Sequence, residues 1–158
     1  MVMTLGGVLP PVELTAPDGS KISVSDYLGR PLVLYFYPRD DTSGCTREAQ
    51  DFSALQVEFG RRDATVLGVS KDSPAKHLKF IEKHGLTITL ATDETGAAID
   101  AFGVWIEKRL YGKTYMGIDR STFLFDASGR LHRVWRRVRV PGHADEVLKS
   151  VEDLARQL

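Results

Sequence analysis

Six residues in a row, Leu32-Val33-Leu34-Tyr35-Phe36-Tyr37, are apolar or aromatic, and Pro38 follows them. An unbroken run of this length and composition marks a strand buried on both faces. Proline ends it because it has no N–H to give a ladder. A strand covered on both sides needs a sheet with layers above and below, and the rest of the chain supplies them. Thr46 to Phe59 carries Ala49, Phe52, Leu55 and Phe59 at helical spacing, with Gly60 as the expected stop. Ala64 to Val69 and Leu86 to Ala91 read as further buried strands. Between them Ser73-Pro74 opens a helix and Gly85 closes it. Thr95 to Phe102 reads as a short helix ended by Gly103. Strands alternating with helices imply parallel pairing through crossovers.

The flanks add antiparallel elements. Val12 to Val24 is a β-hairpin about Pro17-Asp18-Gly19, followed by a helical turn at Asp26 to Gly29. Ser121 to Asp126 and Arg130 to Val140 are strands joined by Asp126-Ala127-Ser128-Gly129. A last helix aligns Val147, Leu148, Val151, Leu154 and Leu158. The expectation is an α/β thioredoxin-like fold: a mixed central sheet flanked by helices, with an N-terminal hairpin. No linker or repeat divides the 158 residues, so residues 1–158 are read as one domain.

Charge and cysteine content narrow the function. Twenty-one basic side chains balance 21 acidic ones, which argues against a nucleic-acid binder. No stretch approaches the ~20 apolar residues of a membrane helix, and Met1 to Pro10 lacks the form of a signal peptide. A cytoplasmic setting is expected. One cysteine excludes an internal disulfide, a zinc knuckle and an iron–sulfur cluster, and no metal or cofactor is expected.

That cysteine stands where chemistry is favoured. Pro38 to Thr46 joins the most hydrophobic strand to an amphipathic helix, so Cys45 falls at a helix start. Ligands bind beyond the carboxyl ends of strands in open α/β sheets, and this loop lies at such an end. Unpaired N–H groups and about half a positive charge at a helix N-terminus favour thiolate over thiol. Free cysteine is also among the most buried residue types, so position alone leaves a small core filler open.

Pro38-x-x-x-Thr42-x-x-Cys45 matches the active-site pattern of peroxiredoxins. Tyr35 to Pro38 with Gly44-Cys45-Thr46-Arg47-Glu48-Ala49 resembles their bacterioferritin-comigratory, or PrxQ, branch. Tyr111 to Leu124 and Gly142-His143-Ala144 resemble it too, so the likeness runs from about Pro10 to Leu154. The resemblance implies a thiol-dependent peroxidase acting on hydrogen peroxide and organic hydroperoxides, with Cys45 as the attacking sulfur. It implies that Thr42 sets its hydroxyl against thiolate and peroxide, and that Arg120 lies beside the sulfur. Pro38 and Gly44 would border the substrate, with Pro38 shielding the pocket from water. Glu48 would orient an arginine; by itself it reads equally as a helix-surface carboxylate.

Thiolate formation alone does not make such an enzyme. A thiol of ordinary pKa is about 3% ionised at pH 7. Lowering a pKa by about three units raises the thiolate some 30-fold, and a nucleophilicity slope of about 0.4–0.5 removes about 20-fold of that. Donors aimed at the peroxide oxygens must supply the rest, at about 100- to 1000-fold each. Arg120, the Cys45 N–H and Thr42 are the candidates.

The sequence departs from many relatives in one place that matters: Gln50 stands where they carry a second cysteine. A sulfenic acid on Cys45 must then be resolved by an external thiol of thioredoxin, glutaredoxin or glutathione type, or by Cys45 of another copy. Monomer and homodimer are both open. A redox sensor or partner-binding module using the same cysteine is the alternative reading. A disulfide reductase is poorly supported, since Cys45 has no partner two residues away. Ser43, where relatives often have proline, can serve as a helix cap. His77 and His84 lie seven apart on one helix and read as a solvated or half-buried pair rather than metal ligands. The arginines from Arg130 to Arg139 read as an exposed sheet face rather than an RNA platform.

Overall fold

The computed structural model describes residues 3–156. The elements in order are β1 (Glu13–Thr15), β2 (Lys21–Ser23), a 3-10 turn (Val24–Tyr27), β3 (Leu32–Phe36), α1 (Ser43–Ala54), α2 (Gln56–Arg61), β4 (Thr65–Ser70) and α3 (Pro74–His84). Then come β5 (Thr89–Thr92), α4 (Ala97–Phe102), β6 (Trp105–Leu110), β7 (Lys113–Ile118), β8 (Ser121–Phe125), β9 (Leu131–Trp135) and α5 (His143–Arg156).

The apolar run becomes β3, in the interior of a seven-stranded sheet of order β2-β1-β5-β4-β3-β8-β9. It pairs parallel with β4, Val33 opposite Val66, and antiparallel with β8, Val33 opposite Leu124. β4 and β5 are parallel, and β1 joins β5 antiparallel through Thr15 and Thr92. This is the mixed, thioredoxin-like arrangement that the alternation implied.

Period two along β3 divides the interior. Leu32, Leu34 and Phe36 enter a core closed by α4 and the N-terminal segment. Val33, Tyr35 and Tyr37 enter a second core closed by α1, α2, α3 and α5. Each fully buried side chain of this size contributes about 1.5–3 kcal/mol. Phe102 of α4 meets Phe36 at 5.1 Å, Phe123 at 4.9 Å and Phe125 at 6.1 Å between ring centroids.

Several boundaries differ from the sequence reading. The helix expected from Thr46 to Phe59 breaks at Leu55 (φ −100°, ψ 7°) into α1 and α2. The break lets Phe52 and Phe59 both reach one core, their rings 6.0 Å apart. Gly60 lies inside α2 and stops nothing; the chain turns at Asp63, which has φ +56°. β5 begins at Thr89 rather than Leu86. β9 ends at Trp135 rather than Val140, because the Arg137 N–H donates to Asp119 Oδ1 and the Val138 N–H to the Arg120 carbonyl. In α5, Val147, Leu148, Val151 and Leu154 are buried as expected; Leu158 lies outside the described residues, as do Met1 and Val2 of the N-terminal stretch.

The β6–β7 hairpin was not foreseen. It forms its own two-stranded sheet around Tyr111 and Gly112, both at positive φ (52° and 76°). Such a two-residue turn matches strand twist. Among the described residues no helix is long and apolar enough to cross a membrane.

Candidate active site

The loop leaving β3 delivers the cysteine to α1. Thr42 is the N-cap in extended conformation, and Cys45 is the third residue of the helix. No acidic side chain occupies the first turn, so none there offsets the positive end of α1. Cys45 is free and only 1% exposed, packed in the same core as Tyr35, Ala49 and Phe52.

Arg120 arrives from the other side of the sheet order. The pairing of Phe36 with Ser121 sets the start of β8 beside the end of β3, and Arg120 is the residue before that start. Its backbone neighbourhood is pinned by Asp119 N to Val104 O (2.7 Å) and by Val138 N to Arg120 O (2.9 Å). The guanidinium then forks. Nη2 donates to Cys45 Sγ at 3.2 Å and Nη1 to Glu48 Oε1 at 2.7 Å. A Cβ on Gly44 would stand 3.2 Å from Arg120 Nη2, so the missing side chain makes room for the guanidinium.

Glu48 is 1% exposed, so it is an arginine partner and not a surface carboxylate. Its Oε2 and the nearby Tyr35 hydroxyl are buried without a hydrogen-bond partner. Burial raises the Glu48 carboxyl to about 7, against the pull of the Arg120 cation. Burial likewise opposes charge on Arg120, but Glu48 and Cys45 outweigh it and hold the guanidinium above its ordinary range. Tyr35 is pushed well up by burial, then by Glu48 and Cys45.

Thr42 and Pro38 are placed differently from the sulfur's direct partners. The Thr42 hydroxyl donates to the Arg39 carbonyl at 3.0 Å, and the structure does not bring it into a hydrogen bond with Sγ. Pro38 and Thr42 border a cleft of about 410 Å³ whose other walls include Arg39, Lys71, Trp105, Lys108, Tyr115 and Met116. The unforeseen β6–β7 hairpin therefore builds one side of the site.

Sequence reasoning also missed what holds the loop. His77, expected to be solvated or half-buried, is fully buried, because its ring anchors the loop to the sheet. Nδ1 lies 2.6 Å from Asp40 Oδ2 and Nε2 lies 3.1 Å from the Ala91 carbonyl, so the ring bridges the loop and β5. The Tyr37 hydroxyl donates to Asp40 Oδ1 at 2.5 Å, and the Asp40 N–H donates to Asp72 Oδ2 at 2.8 Å. Asp41 takes Lys83 (2.7 Å) and the half-buried His84 (2.8 Å) from α3. The usable signal was two aspartates just before the cysteine and a helix with His, Lys and His on one side.

Arg130, Arg133, Arg137 and Arg139 are exposed, as expected, while Arg133 and Arg136 also bond inward. Arg133 bonds Ser150 and Glu146 and covers Trp135; Arg136 bonds the Phe102 and Gly103 carbonyls over the Phe123 ring. His143 opens α5 with Nε2 2.8 Å from Thr122 Oγ1 and its ring edge-on to Phe52 and Trp135. Burial lowers its imidazole to about 4.

The chain matches the family model described as the AhpC/TSA family over residues 5–134. It is 46% identical over 155 residues to Peroxiredoxin Bcp of Bacillus subtilis (strain 168), covering 98% of this chain and 99% of that one. It is 43% identical to Peroxiredoxin Bcp of Xanthomonas campestris, covering 92% and 91%. Among solved structures, the bacterioferritin comigratory protein of Xanthomonas campestris, studied for its alkyl peroxide reduction activity, superposes with a TM-score of 0.87 at 41% identity, covering 94% and 98%. A cysteine-to-serine variant of Xylella fastidiosa PrxQ gives 0.92 at 40% identity, covering 98% and 99%.

Proposed function

The chain belongs to the AhpC/TSA family, among its Bcp (PrxQ) peroxiredoxins, and from that membership we propose a thiol-dependent peroxidase in which Cys45 attacks the peroxide. The observation that carries the assignment of Cys45 is the hydrogen bond from Arg120 to Cys45 Sγ, made across 75 residues of sequence at the start of a helix.

In the first step the Cys45 thiolate attacks one oxygen of ROOH. The S–O bond forms, the O–O bond breaks, and RO⁻ takes a proton to leave as ROH. Cys45 becomes a sulfenic acid, oxidised by two electrons while the peroxide is reduced by two. Arg120 is the donor aimed at the oxygens as charge moves onto them, with the Cys45 N–H at the helix start as a second. Glu48 holds the guanidinium at the sulfur. Pro38 and Gly44 line the approach, Pro38 keeping water from the sulfur and Gly44 admitting the guanidinium. Thr42 borders the entry, and its hydroxyl oxygen is open to accept from a hydroperoxide OH. Organic hydroperoxides and hydrogen peroxide are the substrates.

Cys45 is the one cysteine in the sequence, so the reductant is an external thiol. A reducing compartment, the cytoplasm, supplies one. We assign the whole cycle of one chain to a single domain, as monomer or homodimer, without metal or cofactor. The test is peroxide consumption with a supplied thiol. Cys45→Ser should abolish it, and a variant that kept full activity would overturn the reading.

A further inference from the structure

Three cations line the cleft bordered by Pro38 and Thr42 of the loop that carries Cys45. Arg39 follows Pro38 on the active-site loop, Lys71 follows β4, and Lys108 lies on β6; all three line the cleft of about 410 Å³ with Trp105, Tyr115 and Met116. No carboxylate belongs to that lining. Among the described residues none of the three cations is in an ion pair. Lys71 rests over the Trp105 ring at 5.2 Å, and burial holds Lys108 below the ordinary lysine range despite the pull of Asp119. The volume falls within the ~300–1,000 Å³ of small-molecule sites.

The sulfur beside this cleft is 1% exposed. A protein thiol must bring its own surface up to the sulfur it attacks, whereas a small thiol needs only a channel. Resting on the peroxidase reading, we propose that the cleft of Arg39, Lys71 and Lys108 docks the resolving thiol, and that this thiol is a low-molecular-weight molecule bearing carboxylates. The apolar walls take its carbon skeleton and the cations take its acid groups.

The balance requires two such thiols. The first attacks Cys45 Sγ of the sulfenic acid; the new S–S bond forms, the S–O bond breaks, and hydroxide leaves as water with the thiol's proton. The second attacks the outer sulfur of that mixed disulfide, releasing the Cys45 thiolate and a disulfide of the small thiol. Two electrons pass from the thiols to each peroxide.

The experiment oxidises the full chain with one equivalent of peroxide, then mixes it with glutathione, glutathione diethyl ester, cysteamine or reduced thioredoxin. Recycling rates are compared per thiolate at two salt concentrations. Glutathione should recycle Cys45 about tenfold faster than its diester or cysteamine, a margin that a few partly exposed ion pairs supply. That margin should shrink with salt and in Lys71→Gln/Lys108→Gln, with a glutathione adduct seen by intact mass. Equal rates for glutathione and its diester, or thioredoxin faster than every small thiol, would overturn the docking. Failure of the initial oxidation would instead overturn the peroxidase reading, so the two outcomes are separable.

Discussion

Glu48 and His143 are two buried titrating groups whose effects on stability oppose each other. The Glu48 carboxyl rises from 4.5 to about 7 on folding, and burial is the main cause. A raised acid stabilises the fold fully below pH 4.5, and that contribution is lost as pH climbs through 7. At ~1.4 kcal/mol per unit the loss is about 3 kcal/mol. His143 falls from 6.5 to about 4, again chiefly by burial. Its contribution is present above pH 6.5 and lost as pH falls through 4. It is about 2–3 kcal/mol once screening at the ring's wetter edge is allowed for. Across pH 4.5–6.5 the two nearly cancel in the native chain. Substituting either should expose the other.

The assay is urea unfolding followed by circular dichroism at half-unit pH steps. Glu48→Gln should gain stability by about 2–3 kcal/mol from pH 4 to 6.5, and His143→Gln should lose about 3 kcal/mol from pH 4.5 to 7. With m near 2 kcal/mol/M, those are midpoint shifts of about 1–1.5 M. Surface carboxylates with lowered values, Asp18, Asp41 and Asp126, act equally in every variant and drop out of the differences. A difference between Glu48→Gln and the native chain that stayed constant from pH 4.5 to 7.5 would refute the reasoning. Glu48 would then be ionised beside Arg120 throughout.

Two further outcomes follow from the site. Arg120→Ala should slow oxidation of Cys45 by peroxide about 100-fold or more, the worth of one transition-state donor; stopped-flow fluorescence would read it, and a change under threefold would remove Arg120 from the chemistry. His77→Leu strands Asp40 in the loop, and breaking a buried pair costs about 3–5 kcal/mol, or about 10 °C in Tm for a chain this size. Calorimetry would show that drop; a Tm within 2 °C of native would mean that the pair carries no load.

The legible parts were those with a local signature. Leu32 to Tyr37 announced a buried central strand, Ser73-Pro74 and Gly85 bracketed α3, and the loop before Cys45 marked the end of the sheet where the candidate site lies. Arg120 was legible only through the resemblance, because nothing around it says that β8 will pair with β3. Local pattern also misjudged Gly60 and Leu55, where burying Phe52 and Phe59 together outweighed an unbroken helix. His77 read as solvated or half-buried because its partner Asp40 is 37 positions away. The Tyr111-Gly112 turn was a local signal that went unread, and with it the cationic wall. Burial of long-range polar pairs is what periodicity cannot convey, since a helix face says which residues point inward but not what waits there.

The same guanidinium serves both Cys45 and Glu48, and this ties the chemistry to the stability argument. When Glu48 is neutral, the Arg120 charge is directed to the sulfur alone; when it ionises, the carboxylate and the sulfur share one cation in a buried space. The orphaned Glu48 Oε2 has no second donor to relieve that sharing. The Glu48 carboxyl therefore costs fold stability as pH rises while it keeps the arginine in place, and an uncharged partner of the same shape would hold Arg120 without competing for its charge. The fork, 2.7 Å at the carboxylate and 3.2 Å at the sulfur, holds the guanidinium against Cys45 before any peroxide arrives.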